Sequence, residues 1–162
     1  MVKIEYLADH PEWIHLIAFM HQLEMRTASD RNFDRSIQRF SERMNRHTLP
    51  MTLVAVEDTI PVGSVSLLEH QLDSHLNLSP WVASLFVLEQ YRNLGIGIRL
   101  MQEIEMIASA IGHTSLFLFT HTAKAYYENR GWKTIDTVRP PEVSHSSVVM
   151  SKSLSIKLSV SD

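Results

Sequence analysis

The 162-residue sequence is 44% hydrophobic and 20% charged, an ordinary globular composition long enough for one well-formed core. Its 15 Lys and Arg against 18 Asp and Glu leave a formal charge of -3, which argues against a nucleic-acid partner, because phosphate binding needs a basic face. It has no cysteine, which excludes disulfides, thiolate metal sites and a cysteinyl acyl-enzyme. That fits a reducing compartment. The start Met1-Val2-Lys3-Ile4-Glu5 lacks signal-peptide shape, so the expected location is cytoplasmic. The apolar run 13–20 is interrupted by His15 and is too short to span a bilayer, so no membrane role is expected.

Residues 3–7 predict a short strand. Asp9-His10-Pro11-Glu12 supplies a cap candidate, an early proline and a first-turn acid, and Trp13, Ile14, Ile17, Met20 and Leu23 keep helical spacing, so a helix is predicted over about 10–26. A second helix start lies at Ser29-Asp30. Phe33, Ile37, Phe40 and Met44 form its apolar stripe, and it should end before Pro50. The pattern then changes to strand. Met51–Glu57 and 62–68 flank the turn Asp58-Thr59-Ile60-Pro61 and read as an antiparallel hairpin. The polar segment 69–80 reads as a loop, long enough to suggest a functional one.

Trp81–Val87 is apolar nearly throughout, as a central strand would be. A loop with two glycines follows, then a helix with Ile96, Leu100, Met101, Ile104, Ile107, Ala108 and Ile111 on one face and Gly112 at its end. Ser115–Thr120 is a further apolar strand, so strand, helix and strand imply a right-handed parallel crossover. A short helix over 123–130, closed by Gly131, precedes strands at Lys133–Val138 and 146–154, separated by Arg139-Pro140-Pro141. There is no repeat or linker. The expectation is one α+β domain over 1–154, with a mixed, mostly antiparallel sheet flanked by helices, and a tail at 155–162.

The loop after Trp81–Val87 has the spacing Arg-x-x-Gly-x-Gly, carried by Arg92, Gly95 and Gly97. Glycines let backbone approach an anion closely, and the first N–H groups of the following helix are free to bind it. Arg92 and Arg99 offer further charge. By itself the pattern also suits a helix start that needs only a tight turn. The G-x-G-x-x-G and G-x-x-x-x-G-K-[ST] nucleotide loops are both absent. No H-x-x-x-H pair occurs on a helix, since His15 and His21 are six apart, so no metal is expected.

The run from Trp81 to Gly97 resembles the acyl-CoA-binding motif of the GNAT N-acetyltransferase superfamily. Ala125-Tyr126-Tyr127-Glu128-Asn129-Arg130-Gly131-Trp132 resembles its second signature, aromatic-Tyr-Glu-x-x-Gly-aromatic. The order of elements over 1–154 is also similar to that fold. The resemblance implies that two central strands splay apart, often at a bulge, and that Leu85, Phe86 and Val87 pair their backbone with the pantetheine arm of acetyl-CoA. It implies a pyrophosphate site at Arg92, Asn93, Leu94, Gly95, Ile96, Gly97 and Ile98. A backbone N–H of the Trp81–Val87 strand would stabilise the oxyanion.

The implied reaction is direct attack of an amine on the acetyl thioester in a ternary complex, with Tyr127 as general acid for the leaving thiolate. A packing role at the helix end is the other use of that tyrosine. Several members of that superfamily place a Glu as base on the strand equivalent to Trp81–Val87, where this chain offers only Ser84 as an aliphatic polar side chain. Glu69, His70, Asp73 and His75 are the base candidates upstream, and His121 and Lys124 the candidates for contact with the CoA arm. A small-molecule or peptide amine is the expected acceptor, walled by the first two helices and loop 69–80, with Trp13, His21, Glu24 and Trp81 as contacts. Acids in that loop favour a cationic amine. A homodimer is compatible with this reading. The competing reading is a GNAT-fold CoA-binding regulatory module without turnover.

Overall fold

The computed structural model describes residues 1–24, 32–140 and 145–155. Seven strands form one sheet: β1 (Val2–Tyr6), β2 (Met51–Glu57), β3 (Ile60–Leu68), β4 (Trp81–Val87), β5 (Ser115–Thr120), β6 (Lys133–Val138) and β7 (Ser147–Ser153). Their order is β1-β2-β3-β4-β5-β7-β6, and every neighbouring pair is antiparallel except β4 with β5. This is the predicted α+β architecture, including the parallel crossover. Among the described residues, no helix is long and apolar enough to cross a membrane.

β2 is apolar on both faces because it lies between two layers. Met51, Leu53 and Ala55 join the core under α3 (Ile96–Ala110), whereas Val54 and Val56 meet Leu7, Ile17, Met20 and Phe40 on the opposite face. That second layer is built by α1 (Ile14–Glu24) and α2 (Phe33–Ser41). Helix α1 begins later than predicted, and α2 ends before Met44. Single 3-10 turns at Leu7–Asp9 and Pro11–Trp13 precede α1, where Pro11 opens a turn that the helix does not continue backward. The Ser29-Asp30 start lies outside the described residues. The cap of α2 is Asn32, whose side chain accepts from the Arg35 N–H. Met44 falls beyond the helix and bridges Met51 instead.

The last helix, α4 (Lys124–Glu128), sits between β5 and β6. α3 ends as predicted at Gly112, with the His113 N–H bonded to the Ala108 carbonyl.

Two irregularities shape the middle of the sheet. Ser64 pairs with Phe86 and Ser66 with Ala83, so Ser84 and Leu85 of β4 oppose Val65 alone, and Ser84 takes φ 55°. This is a bulge, and it bends β4. On its other edge β4 meets β5 only through Trp81 and Phe117. The two strands therefore diverge toward their C-terminal ends.

Beside the bulge, Gly63 lets β3 and β4 approach closely. A Cβ there would lie 2.6 Å from the Phe86 carbonyl oxygen, a backbone atom that cannot swing aside. Gly63→Ala is expected to cost about 2 kcal/mol of stability by forcing the strands apart, read as a lowered midpoint in thermal or urea unfolding.

Candidate active site

A cavity of about 1050 Å³ opens where β4 and β5 diverge. Its walls come from the middle of β4, the end of β5, Tyr127 of α4, loop residues 70–74, the chain after β6, and the inner faces of α1 and α2. Beyond Trp81 the β5-facing edge of β4 has no strand partner, so Leu85 and Phe86 line this opening with backbone unpaired by β5, while Val87 lies outside the cavity lining. The other edge remains tied to β3 on both sides of the bulge.

The loop after β4 makes a 3-10 turn at Glu89–Tyr91, then passes Arg92, Asn93 and Leu94 into the helix. Asn93 has φ 61° and Gly95 φ 78°, a left-handed position at the helix N-cap that glycine adopts without strain. No side chain caps this helix, so the N–H groups of Ile96, Gly97 and Ile98 have no intrahelical partner. A Cβ on Gly97 would meet only ordinary contacts, 3.8 Å from the Tyr126 hydroxyl and the Val87 side chain, so nothing in the fold itself requires glycine there. Arg92 Nε donates to the Val87 carbonyl at 3.0 Å. Arg99 points elsewhere: its Nη1 donates to the Val2 carbonyl, tying α3 to β1 and removing it from the loop's anion-binding groups.

Tyr127 lines the cavity, its ring edge-on to Tyr126 at 5.1 Å and to Trp132 at 5.9 Å. The Trp132 N–H bonds to the Tyr127 carbonyl, folding the buried indole back beneath the tyrosine. Burial, then Tyr126, pushes the Tyr127 phenol up to about 12, with Arg130 opposing. The side chain is therefore a neutral donor at neutral pH.

The base and acceptor candidates separate. His70 and Asp73 line the cavity, and Glu69 does not. His75 is held away by Ser74 at 2.7 Å and by Asp136 of β6 at 2.9 Å. His21 lines the cavity as expected. Trp13 instead stacks on His10 at 3.8 Å. Trp81 is fully buried, its indole N–H donating to the Leu78 carbonyl, so it is core and no part of the acceptor wall. The Glu24 side chain lies outside the described residues. His121 bonds the Ser146 carbonyl and stacks on His145, and Lys124 pairs with Glu128 at 3.6 Å. Among the described residues, no three His, Asp or Glu gather as a metal-binding group.

Sequence reasoning missed Arg43. Its Nη1 donates to the Ser84 hydroxyl at 3.0 Å and the Ser66 hydroxyl at 3.1 Å, and Ser66 in turn bonds Thr52 at 2.8 Å. The guanidinium also lies over Phe40, 5.0 Å from the ring centroid. Burial, then the nearby Arg39, pushes Arg43 down to about 10, with Glu42 opposing. The acidic lean of loop 69–80 is reversed by the other walls: Arg39, Arg43 and Arg139 line the cavity against the single acid Asp73 among the described residues.

The family model for the acetyltransferase (GNAT) domain matches residues 50–134. The chain belongs to the GNAT acetyltransferase family. No curated protein sequence gives a significant match. Solved GNAT-fold structures match along nearly the whole chain. An aminoglycoside 6'-N-acetyltransferase complexed with coenzyme A is similar at 17% identity and TM-score 0.75, covering 94% of this chain and 96% of its own. The YncA protein from Salmonella typhimurium, solved with its cofactor acetyl-CoA, is similar at 12% identity and TM-score 0.75, covering 100% and 98%. A GNAT-family acetyltransferase from Streptococcus pneumoniae is similar at 16% identity and TM-score 0.70, covering 96% and 100%. These similarities carry the GNAT fold.

His21 gives this cavity a pH signature. Burial, then Arg43 and Arg39, pushes its imidazole down from 6.5 to about 4. The unfolded chain therefore binds a proton at a higher pH than the native state does. Stability is full above pH 6.5 and falls as pH drops toward about 4, by about 3 kcal/mol from this group. Urea unfolding across that range should show the decline, and His21→Gln should flatten it.

Proposed function

We propose that this protein is an acetyl-CoA-dependent N-acetyltransferase that works by direct attack in a ternary complex. The observation that carries this reading is the unpaired edge of β4, diverging from β5, with Tyr127 in the same cavity. An amide-bearing pantetheine arm would complete the broken sheet by pairing with Leu85, Phe86 and Val87. The thioester would then lie near the Ser84 bulge. The pyrophosphate would sit on the loop Arg92, Asn93, Leu94, Gly95, Ile96, Gly97 and Ile98, where the uncapped helix N-terminus supplies N–H donors and a favourable dipole.

In the transfer, the lone pair of the neutral amine attacks the acetyl carbonyl carbon and forms the C–N bond. The carbonyl oxygen takes up negative charge against a β4 backbone N–H. Collapse breaks the C–S bond, and the departing thiolate takes the Tyr127 phenolic proton. The nitrogen gives up its extra proton to a group in the cavity or to water. That His70 and Asp73 both line the cavity supports them as that group. No carboxylate stands on β4; its place on the strand is taken by Ser84, which holds Arg43.

Tyr127→Phe should lower kcat on the order of 10²-fold while leaving CoA affinity unchanged, as measured by steady-state kinetics and CoA titration. CoA binding without turnover on any amine would favour the regulatory-module reading. Gly97→Ala separates ligand from fold. Its Cβ meets no close protein atom, so the melting temperature should hold or rise slightly, while CoA affinity falls about tenfold or more through lost backbone approach. Unchanged affinity would contradict the pyrophosphate assignment.

A further inference from the structure

The acceptor side of the cavity is built around a cation, Arg43, that no carboxylate among the described residues pairs with directly. Besides lying over the Phe40 ring, Arg43 hydrogen-bonds the described fold only through Nη1, and both its acceptors are uncharged hydroxyls. Its Nε and Nη2 hydrogens have no acceptor among the described residues, and no carboxylate there lies within ion-pair distance of it. Arg39, four residues earlier on α2, lines the same cavity and makes no hydrogen bond or ion pair among the described residues.

Two like charges drawn together and partly out of water are costly unless an anion joins them. The positive field reaches His21 too, which burial first and then Arg43 and Arg39 drive toward its neutral form. Holding the bulge does not explain the choice of residue, because the bonds to Ser66 and Ser84 engage a single nitrogen. Arg43 lines the cavity, and the planar Nε and Nη2 edge that its bonds to the described residues leave over matches the two oxygens of a carboxylate.

We propose that the amine acceptor is an amino carboxylate, and that Arg43 with Arg39 binds its carboxylate beside the Ser84 bulge. The inference rests on the acetyltransferase reading above and narrows its acceptor. Because Arg43 touches Ser84 itself, the carboxylate would sit close to where the thioester is placed, so amine and carboxylate are joined by a short spacer. A polyamine or an aminoglycoside would bring further positive charge against the two arginines.

The test is acetyl-CoA turnover on matched pairs that share an amine and differ in charge: α-amino acids, β-alanine and 4-aminobutyrate, each against its own amide. The best acid is expected to exceed its amide by about tenfold or more in kcat/KM, the difference a charged hydrogen-bonded pair makes. Arg43→Gln and Arg39→Gln should pull that ratio toward one by raising KM for the acid. A purely structural role for Arg43 would instead lower acid and amide together and leave the ratio intact, which would overturn the proposal. Arg39→Gln keeps the test sound if Arg43→Gln disturbs the bulge, since Arg39 bonds nothing in the described fold. Better turnover of amides or of spermidine would overturn the amino-carboxylate site while leaving acetyl transfer standing. If no amine turns over, the acetyltransferase reading fails, and calorimetry of the CoA-bound protein decides the site separately. Heat with 4-aminobutyrate and none with its amide, lost in Arg39→Gln, upholds it; no difference between them overturns it.

Discussion

Strand β4 is bonded along one edge and open along the other. Its ladder to β3 survives a bulge only because Val65 faces both Ser84 and Leu85, and that extra residue bends the strand away from β5. After the single bridge at Trp81 and Phe117, an edge in the middle of the sheet is left without a strand. Such an edge is a demand for hydrogen bonds as much as a cleft. The rest of the molecule is arranged to hold it open. Trp81, Leu72 and Val149 pack the closed end, Gly63 allows the tight approach beside the bulge, and α3 supports β2, β3 and β4 from below.

The polar string from Thr52 through Ser66 and Arg43 to Ser84 couples this opening to the helical layer. It ties the chain just after α2 to the bulged residue itself. The bulge and the acceptor wall are therefore one structure, and a change in either is felt by the other. On the proposed reading, the same side chain that braces the strand at the point of transfer also selects the molecule that receives the acetyl group. Tyr127 reaches the opening from the opposite side, backed by Trp132 through a bond that the short helix makes as it ends.

Much of this was legible from local pattern. The two-sided apolar runs of β2 and β4, the helical stripe after Gly97, and the spacing of Tyr127, Gly131 and Trp132 each report their own neighbourhood, and together they pointed to the GNAT fold. What stayed hidden depends on chain distant in sequence. Ser84 reads as a polar interruption until the register against β3 makes it a bulge. Arg43 reads as a charge after an amphipathic helix, yet its partners lie 23 and 41 residues away. Trp81 looks like an acceptor contact because it opens the strand, but the loop before it folds over the indole and buries it. The acids of loop 69–80 suggested a cationic acceptor only because the arginines on the facing wall come from another part of the chain.

The most direct measurement is amide hydrogen exchange with and without CoA, resolved to single residues by NMR. The account predicts slowed exchange at two separated places, the β4 backbone through Leu85, Phe86 and Val87, and the helix start at Ile96, Gly97 and Ile98, with β1 and β6 unchanged. Protection confined elsewhere, or none along β4 under saturating CoA, would contradict the claim that the open edge of this strand is where the acyl donor completes the sheet.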